Sequence, residues 1–171
     1  MKMKTLARLG YVSPQRIHSI VRATVGKVRV TKLYTVCMSG VIEHLLMDAR
    51  VTQRNIRTIL VHFQSHYRVP QNVYLEKVVT KYLSDEGAVE VDQTLNAMTI
   101  FITYLINASM IIRDSCVKKS LGYKHLTAAL QIISLQHNSQ IYTELHTRGK
   151  DIVELFIHNV NVHKNNVTKI T

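Results

Sequence analysis

The chain has 171 residues, a hydrophobic content of 46% and a net charge of +11, with only two prolines and six glycines. That length supports one compact domain or two small units sharing a core, and the apolar content excludes wholesale disorder. No run is read as approaching ~18 uncharged apolar residues, so no membrane span is expected, and the stretch from Met1 to Gly10 lacks an apolar core of signal-peptide length.

Residues 1–12 form a short basic lead. Ser13-Pro14 then reads as a helix start, Ser as N-cap and Pro in the first turn, with the helix running to about Val25 and ending at Gly26. Lys27–Thr31 is a basic, β-branched connection. The apolar stripe Leu33, Val36, Cys37, Gly40, Val41, Leu45 predicts a long helix over about Thr31–Arg54. A loop at Arg57–Ile59 and a short helix over Val61–Arg68 follow, and Pro70 closes the first unit. The second unit begins with a short helix over Val73–Leu83 and an acidic loop, Ser84–Val91. Asp92 caps a 27-residue helix, Asp92–Lys118, with a stripe at Leu95, Met98, Ile102, Leu105, Ser109, Ile112 and Cys116. Further helices are predicted over Tyr123–Ser134 and Gln140–His158, the latter interrupted near Gly149, before a frayed polar end.

This order predicts an all-α protein in which a short–long–short helical unit occurs twice, residues 13–70 and 71–171. A long helix flanked by short ones cannot bury its stripe alone, so the two halves are expected to pair. Cys37 and Cys116, both inside predicted helices, are expected as buried, reduced thiols of an intracellular protein.

The charge is concentrated. Residues 1–70 carry twelve Lys/Arg against two Asp/Glu, a net of +10, whereas residues 71–171 carry ten against nine. Such an excess suggests a polyanionic partner, most often nucleic acid. No nucleophile–base arrangement, glycine-rich phosphate loop or carboxylate pair points to catalysis or a cofactor. His62 and His66 are four apart but lack a third ligand for a metal.

Particular segments resemble core histones. Arg16-Ile17-His18-Ser19-Ile20-Val21-Arg22 is similar to the Arg-Val-His-Arg-Leu-Leu-Arg of histone two-A, and Arg29-Val30 follows without a gap. Val41-Ile42-Glu43-His44-Leu45 is similar to Val-Leu-Glu-Tyr-Leu of that family's long helix, and Arg57–Gln64 to Arg-Ile-Ile-Pro-Arg-His-Leu-Gln. Lys118-Lys119-Ser120 stands where histone two-B has Lys-Arg-Ser, and a further C-terminal helix is also a two-B trait. The likeness spans roughly residues 7–158 and resembles the histone doublets of large DNA viruses.

The resemblance implies two tandem histone folds paired as an intramolecular handshake, plus a C-terminal helix. It implies wrapping of double-stranded DNA without sequence specificity, in a virion, a viral factory or a host nucleus. The loop pairs facing DNA would be Lys27–Thr31 with Lys118–Ser120, and Ser84–Val91 with Arg57–Ile59. Arg29 and Arg57 would point to the minor groove, Arg16, Arg22, Lys27, Thr58, Lys118, Lys119 and Ser120 to the backbone. Ile112, Cys116, Leu126, Leu130 and Ile133 would dock a histone three–four type pair or doublet, with no membrane partner. Glu43 and Asp48 would be the remnant of the two-A acidic patch, and the first long helix is about seven residues short of the family's, some two turns. The alternative is a histone-fold interaction module of a transcription or chromatin complex, which the acidic Ser84–Val91 loop favours.

Overall fold

The computed structural model describes residues 12–47, 49–63 and 72–170, and these are mostly helical. In chain order they form α1 (Pro14–Val25), β1 (Arg29–Val30), α2 (Lys32–Leu46), α3 (Ala49–Phe63), α4 (Val73–Tyr82), α5 (Ala88–Ser115), β2 (Ser120–Leu121), α6 (Tyr123–His137) and α7 (Gln140–Ile170). The boundary expected at Pro70 lies outside the described residues.

Local chemistry sets most helix ends. Pro14 opens α1, while Ser13 makes no side-chain cap and instead donates its backbone N–H to the Tyr74 hydroxyl at 2.7 Å. Gly26, at φ 68°, ends α1 in a conformation that costs glycine nothing. The Asn72 side chain accepts from the N–H groups of Tyr74 and Leu75 and caps α4. Asn138, left-handed at φ 45°, turns the chain between α6 and α7.

Three expectations need correction. The helix expected over Thr31–Arg54 stops at Leu46, and a separate helix occupies Ala49–Phe63. No glycine or proline marks this break, so the helical period runs through it in sequence. The Thr52 hydroxyl holds it by donating to the Leu45 carbonyl at 2.8 Å, which satisfies an acceptor freed at the helix end. Arg57-Thr58 therefore lies within a helix rather than in a loop. The long helix of the second half begins at Ala88 rather than Asp92, with Gly87 as its extended N-cap and Glu90 in its positively polarised first turn. Finally, α7 continues unbroken through Gly149 to Ile170.

Helix α5 is the centre of the fold, packed against α1, α3, α4 and α6. Gln53 of α3 reaches Glu86, just before α5, while Phe63 meets Phe101 and Tyr104 at ring separations of 5.5 and 4.7 Å. These contacts run α3 alongside α5 in the same direction. The Tyr34 hydroxyl of α2 donates to Ser109 of α5 at 3.2 Å, deep in the core. Strands β1 and β2 pair in parallel, Arg29 opposite Ser120 and Val30 opposite Leu121, joining the loop after α1 to the loop after α5.

The C-terminal helix packs on both α2 and α6. Its crossing with α2 is made close by two glycines. A Cβ on Gly149 would stand 2.8 Å from Cys37 Sγ, and one on Gly40 would stand 2.6 Å from Ile152 Cγ2. Gly149 is thus present because a neighbouring helix occupies the space of a side chain, not because the helix breaks there.

Gly149→Ala should therefore destabilise the protein despite alanine's better helix propensity. Overpacking costs ~1–3 kcal/mol and propensity returns ~1 kcal/mol. Denaturant unfolding should show a net loss of ~1 kcal/mol. Combining it with Cys37→Ala should give a favourable coupling energy in a double-mutant cycle. Additive losses would mean that Gly149 does not face Cys37.

Candidate nucleic-acid interface

The paired strands form a small basic edge. Along β1, Arg29 is exposed and Val30 buried; along β2, Ser120 is half-buried and Leu121 buried. This period-two alternation anchors the pair through Val30 and Leu121 and turns the polar residues outward. Thr31 N–H donates to the Leu121 carbonyl at 3.0 Å, extending the pairing by one bond. Lys27, Arg29, Lys118 and Lys119 are all exposed, so four cations from the two halves gather at one end of the molecule.

The loop between α5 and β2 is tightly built. Lys118 N–H bonds the Arg113 carbonyl and Val117 N–H the Asp114 carbonyl, the paired bonds of a Schellman helix ending. The residue in the left-handed position is Val117, at φ 53° and 91% exposed. A β-branched side chain there is strained. The Arg113 side chain braces the loop from outside, its Nε donating to the Lys118 carbonyl at 2.9 Å. At the start of α6, His125 Nδ1 accepts the Gly122 N–H at 2.9 Å and caps the helix. That bond requires an unprotonated Nδ1. Burial lowers the His125 pKa, and the charges of Arg113 and Lys118 lower it further.

The other expected residues are distributed differently. Arg16 and Arg22 are exposed on α1, about 9 Å apart along its axis, with Arg22 in the turn nearer the β1 loop. Arg57 is exposed on α3, and the Thr58 hydroxyl donates to the Arg54 carbonyl, so neither belongs to a loop pair. The loop after α4 meets the beginning of α3 instead, through Gln53 Nε2 and Glu86 Oε2 at 3.3 Å. Asp85, Glu86 and Glu90 make this end acidic.

Leu126, Leu130 and Ile133 are buried in the chain's own core and cannot dock a partner as expected. Both α5 and α7 pack on α6 and take up its apolar stripe. Ile112 is half-buried, and Cys116, expected buried, is exposed at the end of α5. Exposed apolar residues near the end of α5 and on α6 are Ile111, Ile132 and Leu135. Glu43 does not form an acidic surface: it is buried beneath α7, with Arg148 Nη2 at 3.9 Å from its carboxylate. Asp48 lies outside the described residues.

His66 also lies outside them, while His62 is engaged elsewhere. Its Nδ1 is 2.6 Å from the Tyr142 hydroxyl and its ring stacks on His137 at 4.1 Å. Among the described residues no group of three or more His, Cys, Asp or Glu could hold a metal. Arg113, His125 and Gln53 carry no sequence signal for their roles, which arise from contacts between separate elements. No family model, curated protein or solved structure matches this chain.

Two predictions follow from the loop. Val117→Gly should raise stability by ~0.5–1 kcal/mol in denaturant unfolding, since relief of strain exceeds the added unfolded-state entropy. A loss of stability would show that the left-handed turn is not strained. The second concerns acid. His125, His62 and His146 are each held below the usual 6.5 by burial first, and then by Arg113 and Lys118 for His125, by His137 for His62 and by Lys150 for His146. Below 6.5 the unfolded chain then binds more protons than the folded one. Stability should be full above about pH 7 and fall as pH drops through 6.5. His125→Gln should flatten that fall; an unchanged melting-temperature profile would count against the cap.

Proposed function

We propose that this chain is a histone-doublet-type protein that binds and wraps double-stranded DNA without reading its sequence. The observation that carries the proposal is the parallel pairing of β1 with β2, which places Lys27 and Arg29 beside Lys118 and Lys119. In this reading α1–α2–α3 and α4–α5–α6 are two histone folds in an intramolecular handshake. The two ends of that handshake are the β1–β2 pair and the contact of the α4–α5 loop with α3. The few residues of sequence between α3 and α4 keep the effective concentration of one half for the other high.

The four gathered cations suit phosphate oxygens, and Arg29 suits a narrow minor groove, as arginines do around histone octamers generally. The acidic end grips DNA less well, so the particle opens there. A histone three–four type pair or doublet docks against the end of α5 and the outer face of α6, at Ile111, Cys116, Ile132 and Leu135 rather than at the buried stripe of α6. The setting is a virion, a viral factory or a host nucleus. A second reading, a histone-fold interaction module in which DNA is secondary, draws on the acidic Asp85-Glu86 loop.

Binding to mixed-sequence duplexes tests the first reading. Affinity should fall steeply with salt, by about 0.9 log units per log unit of salt for each phosphate contacted. Replacing Lys27, Arg29, Lys118 and Lys119 by Ala should reduce the slope by about 3 to 4, while Arg57→Ala should change it by at most about 1. Nuclease protection of long DNA should give a discrete length only when the three–four type pair is added. A folded chain with no salt-dependent DNA binding would move the assignment to the interaction module.

A further inference from the structure

We propose that the groove between α1, α2 and α7 binds a small amphipathic primary amine, its ammonium on the Glu43 carboxylate and its hydrocarbon body against Val36, Ile152 and Phe156. This site borders the basic edge at Val30 but uses none of its four cations, and it does not depend on the DNA-binding reading.

The groove encloses a cavity of about 590 Å³, within the range of small-molecule sites. Its floor is one face of α2, read at three- and four-residue steps through Lys32, Thr35, Val36, Ser39, Gly40 and Glu43. The first turns of α1 form one wall and Ile152 and Phe156 of α7 the other. Most of this lining is apolar, so a ligand needs a hydrocarbon body.

Beyond Lys32 at the outer end, the polar groups of the floor are short of donors. The Ser39 hydroxyl donates to the Thr35 carbonyl at 2.9 Å, and the Thr35 hydroxyl to the Thr31 carbonyl at 3.4 Å. Both hydroxyl protons are thereby used, and the oxygens retain acceptor capacity. His18 Nδ1 lies 3.3 Å from the Thr35 hydroxyl. Glu43 has a side chain only 7% exposed, and its cation partner, Arg148, stands at 3.9 Å, beyond hydrogen-bonding distance, with its own buried Nε also unpartnered. Among the described residues no hydrogen bond reaches the Glu43 carboxylate. Burial holds that carboxyl above its usual range, with Arg148 pulling it back down.

A buried, under-bonded carboxylate selects a donor-rich cation, and an ammonium supplies three N–H groups. An anionic ligand would meet the same carboxylate and be refused. Lys32 does not fill the role itself. Its ammonium lies over the Phe156 ring at 5.4 Å, and its backbone is eleven residues before Glu43 on α2, about 16 Å along the axis.

The test is a titration of the full chain with hexylamine, hexan-1-ol and hexanoate, followed by methyl resonances of Val36 and Ile152 and by calorimetry. Hexylamine should bind at least about tenfold more tightly than hexan-1-ol, with hexanoate weaker than both. Glu43→Gln should remove the preference for the amine. Equal binding of amine and alcohol, a preference surviving in Glu43→Gln, or shifts confined to other methyls would overturn the proposal. Should Glu43→Gln fail to fold, Arg148→Met provides the second arm. It strips Glu43 of its internal cation, so hexylamine should bind more tightly and raise the melting temperature more than in the wild type. An unchanged response would overturn the proposal. Nα-acetyl-lysine N-methylamide separates a free amine from a lysine side chain of a partner; it should bind more weakly than hexylamine, and equal affinity would overturn the free-amine assignment.

Discussion

A helix that is apolar around its whole circumference must be surrounded, and this chain contains two. From Thr94 to Ile106, α5 is buried except at Asn96, which is exposed, and Thr103 and Tyr104, which are half-buried; from Tyr34 to Leu46, α2 is buried everywhere except His44, which is half-buried. By length and composition α5 is long and apolar enough to cross a membrane. In this structure α1, α3, α4 and α6 cover it. The remaining architecture follows from enclosing these two helices. The half that contains α5 cannot cover it without α1 and α3 from the other half, nor can α2 be covered without α7. The halves are therefore parts of one core.

The lengths of the two central helices differ, 15 residues for α2 and 28 for α5, and α7 compensates. It crosses α2 where Gly40 and Gly149 remove the side chains that would hold the helices apart. Close crossing buries Glu43, which on an uncovered helix would be a surface carboxylate. It also leaves the groove between α1 and α7, since Ile152 and Phe156 stand over α2 while the first turn of α1 stays to one side. One steric relation thus accounts for the lost acidic surface, the continuous C-terminal helix and the cavity.

The two ends of the molecule differ electrically for a reason visible in the connections. At one end the loop after α1 and the loop after α5 each bring cations, and their backbones pair. At the other end the loop after α4 brings carboxylates to the first turns of α3. The basic end is also the more constrained, through the strained Val117 turn, the Arg113 brace and the neutral His125 cap. Cations on a preformed loop lose less freedom on meeting a polyanion than cations on an open one.

Much of the helix order was legible in the residues. Ser13-Pro14 and Gly26 bracket α1, and the three-and-four stripe from Leu95 to Ile112 marks α5, because capping and amphipathic burial act over a few residues. The basic character of Lys27–Arg29 and Lys118-Lys119 is likewise local. What tertiary structure alone decided concerns spaces between elements. The break after Leu46 has no proline or glycine and depends on Thr52 reaching back to a freed carbonyl. Arg57 falls inside a helix because of that break. Gly149 reads as a helix interruption until the neighbouring Cys37 is in place. The inward stripe of α6 resembles a docking face until α7 covers it. Sequence periodicity states that a face is apolar; which surface covers it depends on the packing of the whole chain.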